Sequence, residues 1–229
     1  MKKKLLGLLL IGVIMVGFTA CGGKKEEKEK EKEEAKYDYL VLVNKQNKLP
    51  EDWEEKVELV DTKDAWNDDT KVEKKAFEKF QELAADLKKN DGITIELDSA
   101  YRSVAAQQEL WDTWSADPNK GPEYVQKYVA VPGYSEHHTG LAIDIVLDFG
   151  EVEGIVSDND AMIQNTEAFA KIHAKLAKYG FILRYLEGKD EITGYSYEPW
   201  HLRYINDPEI AEEIMSKGLT LEEYLESVK

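Results

Sequence analysis

The sequence predicts an α+β domain, with helices flanking a small and mostly antiparallel sheet. Apolar residues recur at helical spacing in some segments and alternate, or run unbroken over strand length, in others. The two kinds of segment interleave without the regular repeat of a parallel βαβ fold. With 229 residues, 42% of them hydrophobic, the chain can bury one sizeable core.

Taken in order, residues 39–43 are a short apolar run ended by Asn44 and predict an early strand. Val72, Phe77, Phe80, Leu83, Ala84 and Leu87 share one helical face, and Asn90-Asp91-Gly92 supplies the stop. Residues 93–97 alternate as a strand and lead into Asp98-Ser99-Ala100-Tyr101-Arg102-Ser103, where a second helix is expected to begin and run through Trp114. Pro132-Gly133 breaks the chain, and residues 141–147 read as a largely buried strand with Asp144 in its middle. Residues 166–179 predict a helix closed by Gly180. Strands are expected over 181–185 and 200–205, and Asp207-Pro208 opens a last helical region that Gly218 divides. From Tyr37 onward there is neither a Pro/Gly/Ser-rich linker nor an internal repeat, so one domain is placed over 37–229.

The first twenty residues do not belong to that domain. Lys2, Lys3 and Lys4 precede an apolar run that ends at Phe18, the layout of a secretory signal and too short for the roughly 20 apolar residues of a membrane span. Phe18-Thr19-Ala20-Cys21 resembles the lipobox of bacterial lipoproteins, with Phe18 where an aliphatic residue is usual. Cys21 is the only cysteine, which leaves no internal disulfide or Cys-rich zinc site; it is the expected acylation point. Residues 21–36 are then a charged tether, with too few apolar side chains to offset the entropy of ordering. The protein is expected outside the cytoplasm, held to the cell membrane by that lipid.

Setting aside the three N-terminal lysines and the balanced tether leaves −19 of charge on residues 37–229. A domain so acidic does not follow a phosphate backbone, which excludes nucleic-acid binding as its function. Anionic headgroups repel it as well, so membrane attachment falls to the acyl chain.

Two segments carry chemistry. In Ser135-Glu136-His137-His138-Thr139-Gly140-Leu141-Ala142-Ile143-Asp144, a carboxylate lies in an apolar strand seven residues after a histidine. Burying it unpaired is costly, and a metal ion shared with His137 supplies the cation it needs. In Glu198-Pro199-Trp200-His201-Leu202-Arg203, Pro199 opposes a helix. A straight strand would put Glu198 and His201 on opposite faces, so the chain must turn around Pro199-Trp200 if both address one metal.

These motifs resemble those of the VanY-type D-alanyl-D-alanine carboxypeptidases, a zinc peptidase family that also includes L,D-carboxypeptidases. The pattern S-x-H-x-x-G-x-A-x-D is met by Ser135, His137, Gly140, Ala142 and Asp144, and E-x-x-H by Glu198 and His201. The likeness runs on through Leu42-Val43-Asn44-Lys45 with Leu49-Pro50, Tyr101-Arg102-Ser103, and Gly180-Phe181-Ile182-Leu183-Arg184-Tyr185. It implies His137, Asp144 and His201 as ligands of Zn²⁺ with water in the open fourth position, and Glu198 as general base. It implies Arg102 as the group that stabilises the oxyanion or the substrate carbonyl, and Gln107, Ser135 and Tyr185 as substrate contacts. Trp111, Tyr134 and Trp200 could wall the pocket, or Trp111 and Trp114 could be core. His138 is expected behind the site or at the surface, and His173 on the surface of its helix.

The activity implied is removal of the terminal D-alanine from peptidoglycan stem peptides, by D,D or L,D cleavage. A peptidoglycan endopeptidase could use the same metal chemistry. A non-catalytic zinc- or wall-binding lipoprotein is the third reading, although such a module has no need of Glu198.

Overall fold

The computed structural model describes residues 37–229 other than 67–69, 120, 122–124 and 126–128. The expected signal (1–20) and the tether bearing Cys21 (21–36) lie outside the described residues.

In chain order the elements are α1 (Trp53–Lys56), β1 (Leu59–Thr62), β2 (Thr70–Glu73), α2 (Lys74–Asp91), β3 (Thr94–Ser99), α3 (Val104–Ala116), a 3₁₀ turn (Glu136–Thr139), β4 (Ala142–Asp148), α4 (Gly150–Glu153), β5 (Ile155–Val156), α5 (Asn159–Gln164), α6 (Thr166–Leu176), β6 (Phe181–Tyr185), α7 (Asp190–Thr193), β7 (Glu198–Tyr204), α8 (Pro208–Lys217) and α9 (Leu221–Ser227). Strands β1 and β2 pair as a small antiparallel ribbon. The main sheet has the order β3-β4-β7-β6 with β5 beside β4, every pair antiparallel. The class is α+β, as the interleaved periodicities predict.

The apolar stripe of α2 sets its packing: Ala76, Phe80, Leu83 and Leu87 are buried, and the fully covered Leu83 and Leu87 each stabilise the fold by roughly 1.5–3 kcal/mol. Its first turn is capped by the Glu73 carboxylate, which accepts from the Ala76 N–H, and its end by Gly92 in the left-handed conformation. Asp86 on this helix accepts hydrogen bonds from Lys175 and Lys178 and from the Tyr179 hydroxyl, joining α2 to the end of α6. On β4, Leu141, Ile143, Ile145 and Leu147 are covered as expected, and Ala142 and Val146 on the opposite face are covered too. Helices α8 and α9 cover β6 through Ala211, Ile214, Leu221 and Tyr224, which gather with Ile182 and Ile205.

Two expectations are corrected. Residues 39–43 do not form a strand. They are buried at Tyr39, Val41 and Val43, but the carbonyls of Tyr39 and Val41 accept from the Arg203 guanidinium instead of joining a ladder. The second helix starts only at Val104, because Ser103 caps it by accepting from the Ala106 N–H. Arg102 therefore precedes the helix instead of sitting in its first turn.

The sheet is irregular at two places that matter. The β3–β4 register slips between Leu97 and Ser99. Between the pairs Leu183↔Leu202 and Tyr185↔Glu198, β6 contributes Arg184 alone while β7 contributes Pro199, Trp200 and His201.

Candidate active site

The bulge in β7 answers the facing problem posed by Glu198 and His201. The turn required around Pro199-Trp200 takes the form of two extra residues in an otherwise extended strand, which bring both side chains to one side. Glu198 Oε2 lies 3.8 Å from His201 Nδ1. In the neighbouring strand Asp144 pairs directly with His201. The 3₁₀ turn delivers His137 from a third direction and ends at Gly140, whose φ is +73° and where a Cβ would come within 2.8 Å of Leu59 Cδ2. Only glycine suits both the conformation and the space.

His137, Asp144 and His201 each offer one ligand atom, all within 4.8 Å of one another. His137 Nε2 is 3.1 Å from Asp144 Oδ2 and His201 Nδ1 is 2.8 Å from Asp144 Oδ1. The far ring nitrogens fix the tautomers. His137 Nδ1–H donates to the Ala100 carbonyl at 2.7 Å, and His201 Nε2–H donates to Glu136 Oε2 at 3.0 Å. Both near nitrogens therefore face the Asp144 carboxylate. Ligand atoms gathered this closely fit a cation shared among them, and two imidazoles with one carboxylate suit zinc.

The electrostatics agree. Burial opposes a charged Asp144, yet His137 and His201 outweigh it and hold the carboxyl well below the usual range. Burial also opposes the His201 imidazolium, but Asp144 and Glu136 outweigh it and raise the pKa to about 10. Burial keeps His137 below its ordinary value. The point between these groups attracts positive charge, whether a proton or a metal ion. Glu198 is shifted the other way: burial raises its carboxyl to about 7, with His201 offsetting part of the effect and Asp144 and Glu136 adding to it.

These groups line a cavity of about 720 Å³ together with Arg102, Gln107, Ser135, Tyr185 and Trp200. Arg102 donates from Nη1 to Gln107 Oε1 at 3.0 Å and from Nη2 to Ser99 Oγ at 3.1 Å. Gln107 is fully buried and donates onward to the Ala130 carbonyl at 2.7 Å, so it holds Arg102 in place. Among the described residues Arg102 is the one lysine or arginine side chain lining the cavity. The Tyr185 ring packs against that of His201, with centroids 4.7 Å apart and planes inclined by 44°.

A family profile, "VanY: D-alanyl-D-alanine carboxypeptidase", matches residues 69–207. The chain is 37% identical over 199 residues to "Putative carboxypeptidase YodJ" of Bacillus subtilis (strain 168), covering 83% of this chain and 68% of that protein. The chain belongs to the VanY family of D-alanyl-D-alanine carboxypeptidases. Among solved structures, the vancomycin resistance D,D-pentapeptidase VanY with Zn(II) is 34% identical with a TM-score of 0.65, covering 82% of this chain and 99% of that one. The LdcB LD-carboxypeptidase is 35% identical with a TM-score of 0.69, covering 83% and 87%.

Several residues of this VanY-family site were not assigned from sequence. Glu136, beside His137 in the motif, is fully buried: it accepts from His201 and is paired with Arg184 at 2.8 Å and Arg203 at 2.6 Å. Burial would raise its carboxyl, but the two guanidinium groups outweigh that and hold it well below the usual range. Arg184 reaches on to Glu222 of α9 at 2.7 Å. The available signal was the pair of arginines inside the apolar runs 181–185 and 200–205, since a buried guanidinium requires an anion. Leu110 and Trp114 line the cavity where Trp111 and Tyr134 had been considered, because positions 107, 110 and 114 share one face of α3.

His138 lies behind the site, its Nδ1–H donating to the Arg102 carbonyl at 2.6 Å while Nε2 accepts from the Gly133 N–H at 3.0 Å. His173 is not a surface residue. It is half-buried, packs against Phe169 and donates from Nε2 to the Pro199 carbonyl at 2.9 Å, which ties α6 to the strand that bears Glu198.

Proposed function

We propose that this protein is a zinc-dependent carboxypeptidase that removes the terminal D-alanine from peptidoglycan stem peptides, and that a lipid on Cys21 holds it on the outer side of the cell membrane. The observation that carries the reading is the convergence of His137, Asp144 and His201 on one point with the Glu198 carboxylate beside it. The Zn(II) in the VanY neighbour and the names of the family's members support it. The N-terminal residues up to Cys21 support export and anchoring by their pattern alone.

Zinc held by these three side chains would polarise the scissile carbonyl and lower the pKa of its bound water toward neutrality. The chain's own residues do the rest. Glu198, with a carboxyl near neutrality, accepts the proton of the attacking water and returns it to the departing amine. The Arg102 fork, fixed by Gln107 and Ser99, faces the cavity where negative charge develops. Tyr185 and Ser135, both buried at the cavity wall, orient the peptide. A cavity of about 720 Å³ encloses the end of a short peptide.

Mass spectrometry of defined stem peptides incubated with the zinc-loaded protein tests this. Loss of one alanine from the pentapeptide alone marks D,D cleavage, and loss from the tetrapeptide marks L,D cleavage. Cutting inside the stem would replace the reading with an endopeptidase. Full zinc loading without hydrolysis of any stem peptide would leave a binding module.

A further inference from the structure

Pro199 and Trp200 fall outside the registered pairs of both ladders that flank β7. Pro199 is buried and, as proline, has no N–H to offer. Its carbonyl lies outside the registered pairs of both neighbouring strands, at the distortion that turns Glu198 toward His201. Such a group must find a donor elsewhere. The donor is His173 Nε2–H, at 2.9 Å from a different element, α6. The imidazole is steadied by Phe169, one turn earlier on α6, with ring centroids 5.6 Å apart.

We infer that His173 is a positioning residue: by holding the Pro199 carbonyl it locks the β7 bulge and so fixes where the Glu198 carboxylate stands. The group it holds is a main-chain carbonyl, so His173 acts on Glu198 through the backbone. His201 is held independently, by its register with Asp144 and its hydrogen bond to Glu136. Loss of the His173 contact therefore loosens the base more than the metal site. Misplacing a reacting group by about 1 Å costs on the order of 10²-fold in rate.

The inference rests on the carboxypeptidase reading, and the experiment separates the two. Wild type, His173→Phe and His173→Gln are compared as full chains. Phenylalanine keeps the packing on Phe169 without the donor, and glutamine can place an amide N–H where Nε2 stands. The expected result is a fall in kcat on the order of 10²-fold for His173→Phe, with KM and zinc affinity by chelator competition unchanged, and recovery of most of kcat in His173→Gln. Crystals of His173→Phe should show Glu198 moved from its 3.8 Å position beside His201. A kcat for His173→Phe within twofold of wild type, or a His173→Gln variant as slow as His173→Phe, overturns the inference. A wild type that hydrolyses no stem peptide overturns the functional reading instead, while the crystallographic position of Glu198 still decides the role of His173.

Discussion

Glu198 is placed for chemistry at the expense of stability, and the size of that conflict can be worked out. Burial raises its carboxyl from an ordinary value of 4.5 to about 7 in the folded protein. At about 1.4 kcal/mol for each tenfold change in proton affinity, keeping the ionised carboxylate buried destabilises the fold by about 3 kcal/mol. The sign follows from the raised value. The carboxyl favours the fold fully below pH 4.5, and that contribution is lost as pH rises through about 7. Replacing Glu198 with Gln removes the titration. In chelator-treated protein, Glu198→Gln should match wild type near pH 4 and exceed it by up to about 3 kcal/mol near pH 8, which for a domain of this size is roughly 6–12 °C in Tm. The same variant should lose hydrolysis while retaining zinc. Differential scanning calorimetry across that pH range is the assay. A Tm difference between the two proteins that stays constant with pH would show that the carboxyl is not held near neutrality by burial, and the base assignment would lose its physical ground.

Glu136→Gln should lower zinc affinity roughly 10–100-fold in chelator competition, because the partner that orients His201 loses its charge. It should also destabilise the fold by roughly 3–5 kcal/mol, since Arg203 loses its carboxylate partner and Arg184 keeps only Glu222. Because the Glu136 carboxyl is depressed in the fold, that stability deficit should be complete above the ordinary carboxylate range and shrink as pH falls below it. Arg102→Lys keeps the charge but cannot hold both Gln107 Oε1 and Ser99 Oγ as a planar fork. Steady-state kinetics should show kcat lower on the order of 10²-fold with zinc content unchanged.

What was legible in the chain divides along a physical line. Periodicity reports which face of an element is covered, and it placed α2, β4 and the α8–α9 region with little error. Residue type at fixed spacing picked out His137, Asp144, Glu198 and His201, which the fold brings together, and Pro199 announced that β7 could not be straight. Composition read residues 39–43 as a strand because burial and strand pairing leave the same apolar signature. Here the carbonyls of Tyr39 and Val41 are satisfied by Arg203, more than 160 positions later, and no local pattern records that.

The groups that escaped the sequence reading share this feature, and it explains the construction of the site. Glu136 meets Arg203 across 67 positions and Arg184 across 48, and Arg184 meets Glu222 across 38. Glu222 lies beyond the residues matched to the family profile, which end at 207, yet its carboxylate holds the guanidinium that holds Glu136. The side of His201 that faces Asp144 is therefore set by a short motif, whereas its opposite side depends on partners drawn from a turn, from β6 and from the last helix. A lone buried Glu136 would protonate and cease to orient the imidazole. With two buried guanidinium groups against it the carboxylate stays charged and holds Nε2–H, which turns Nδ1 toward Asp144. The geometry of the site is thus as much a property of the folded charge network as of His137, Asp144 and His201 themselves.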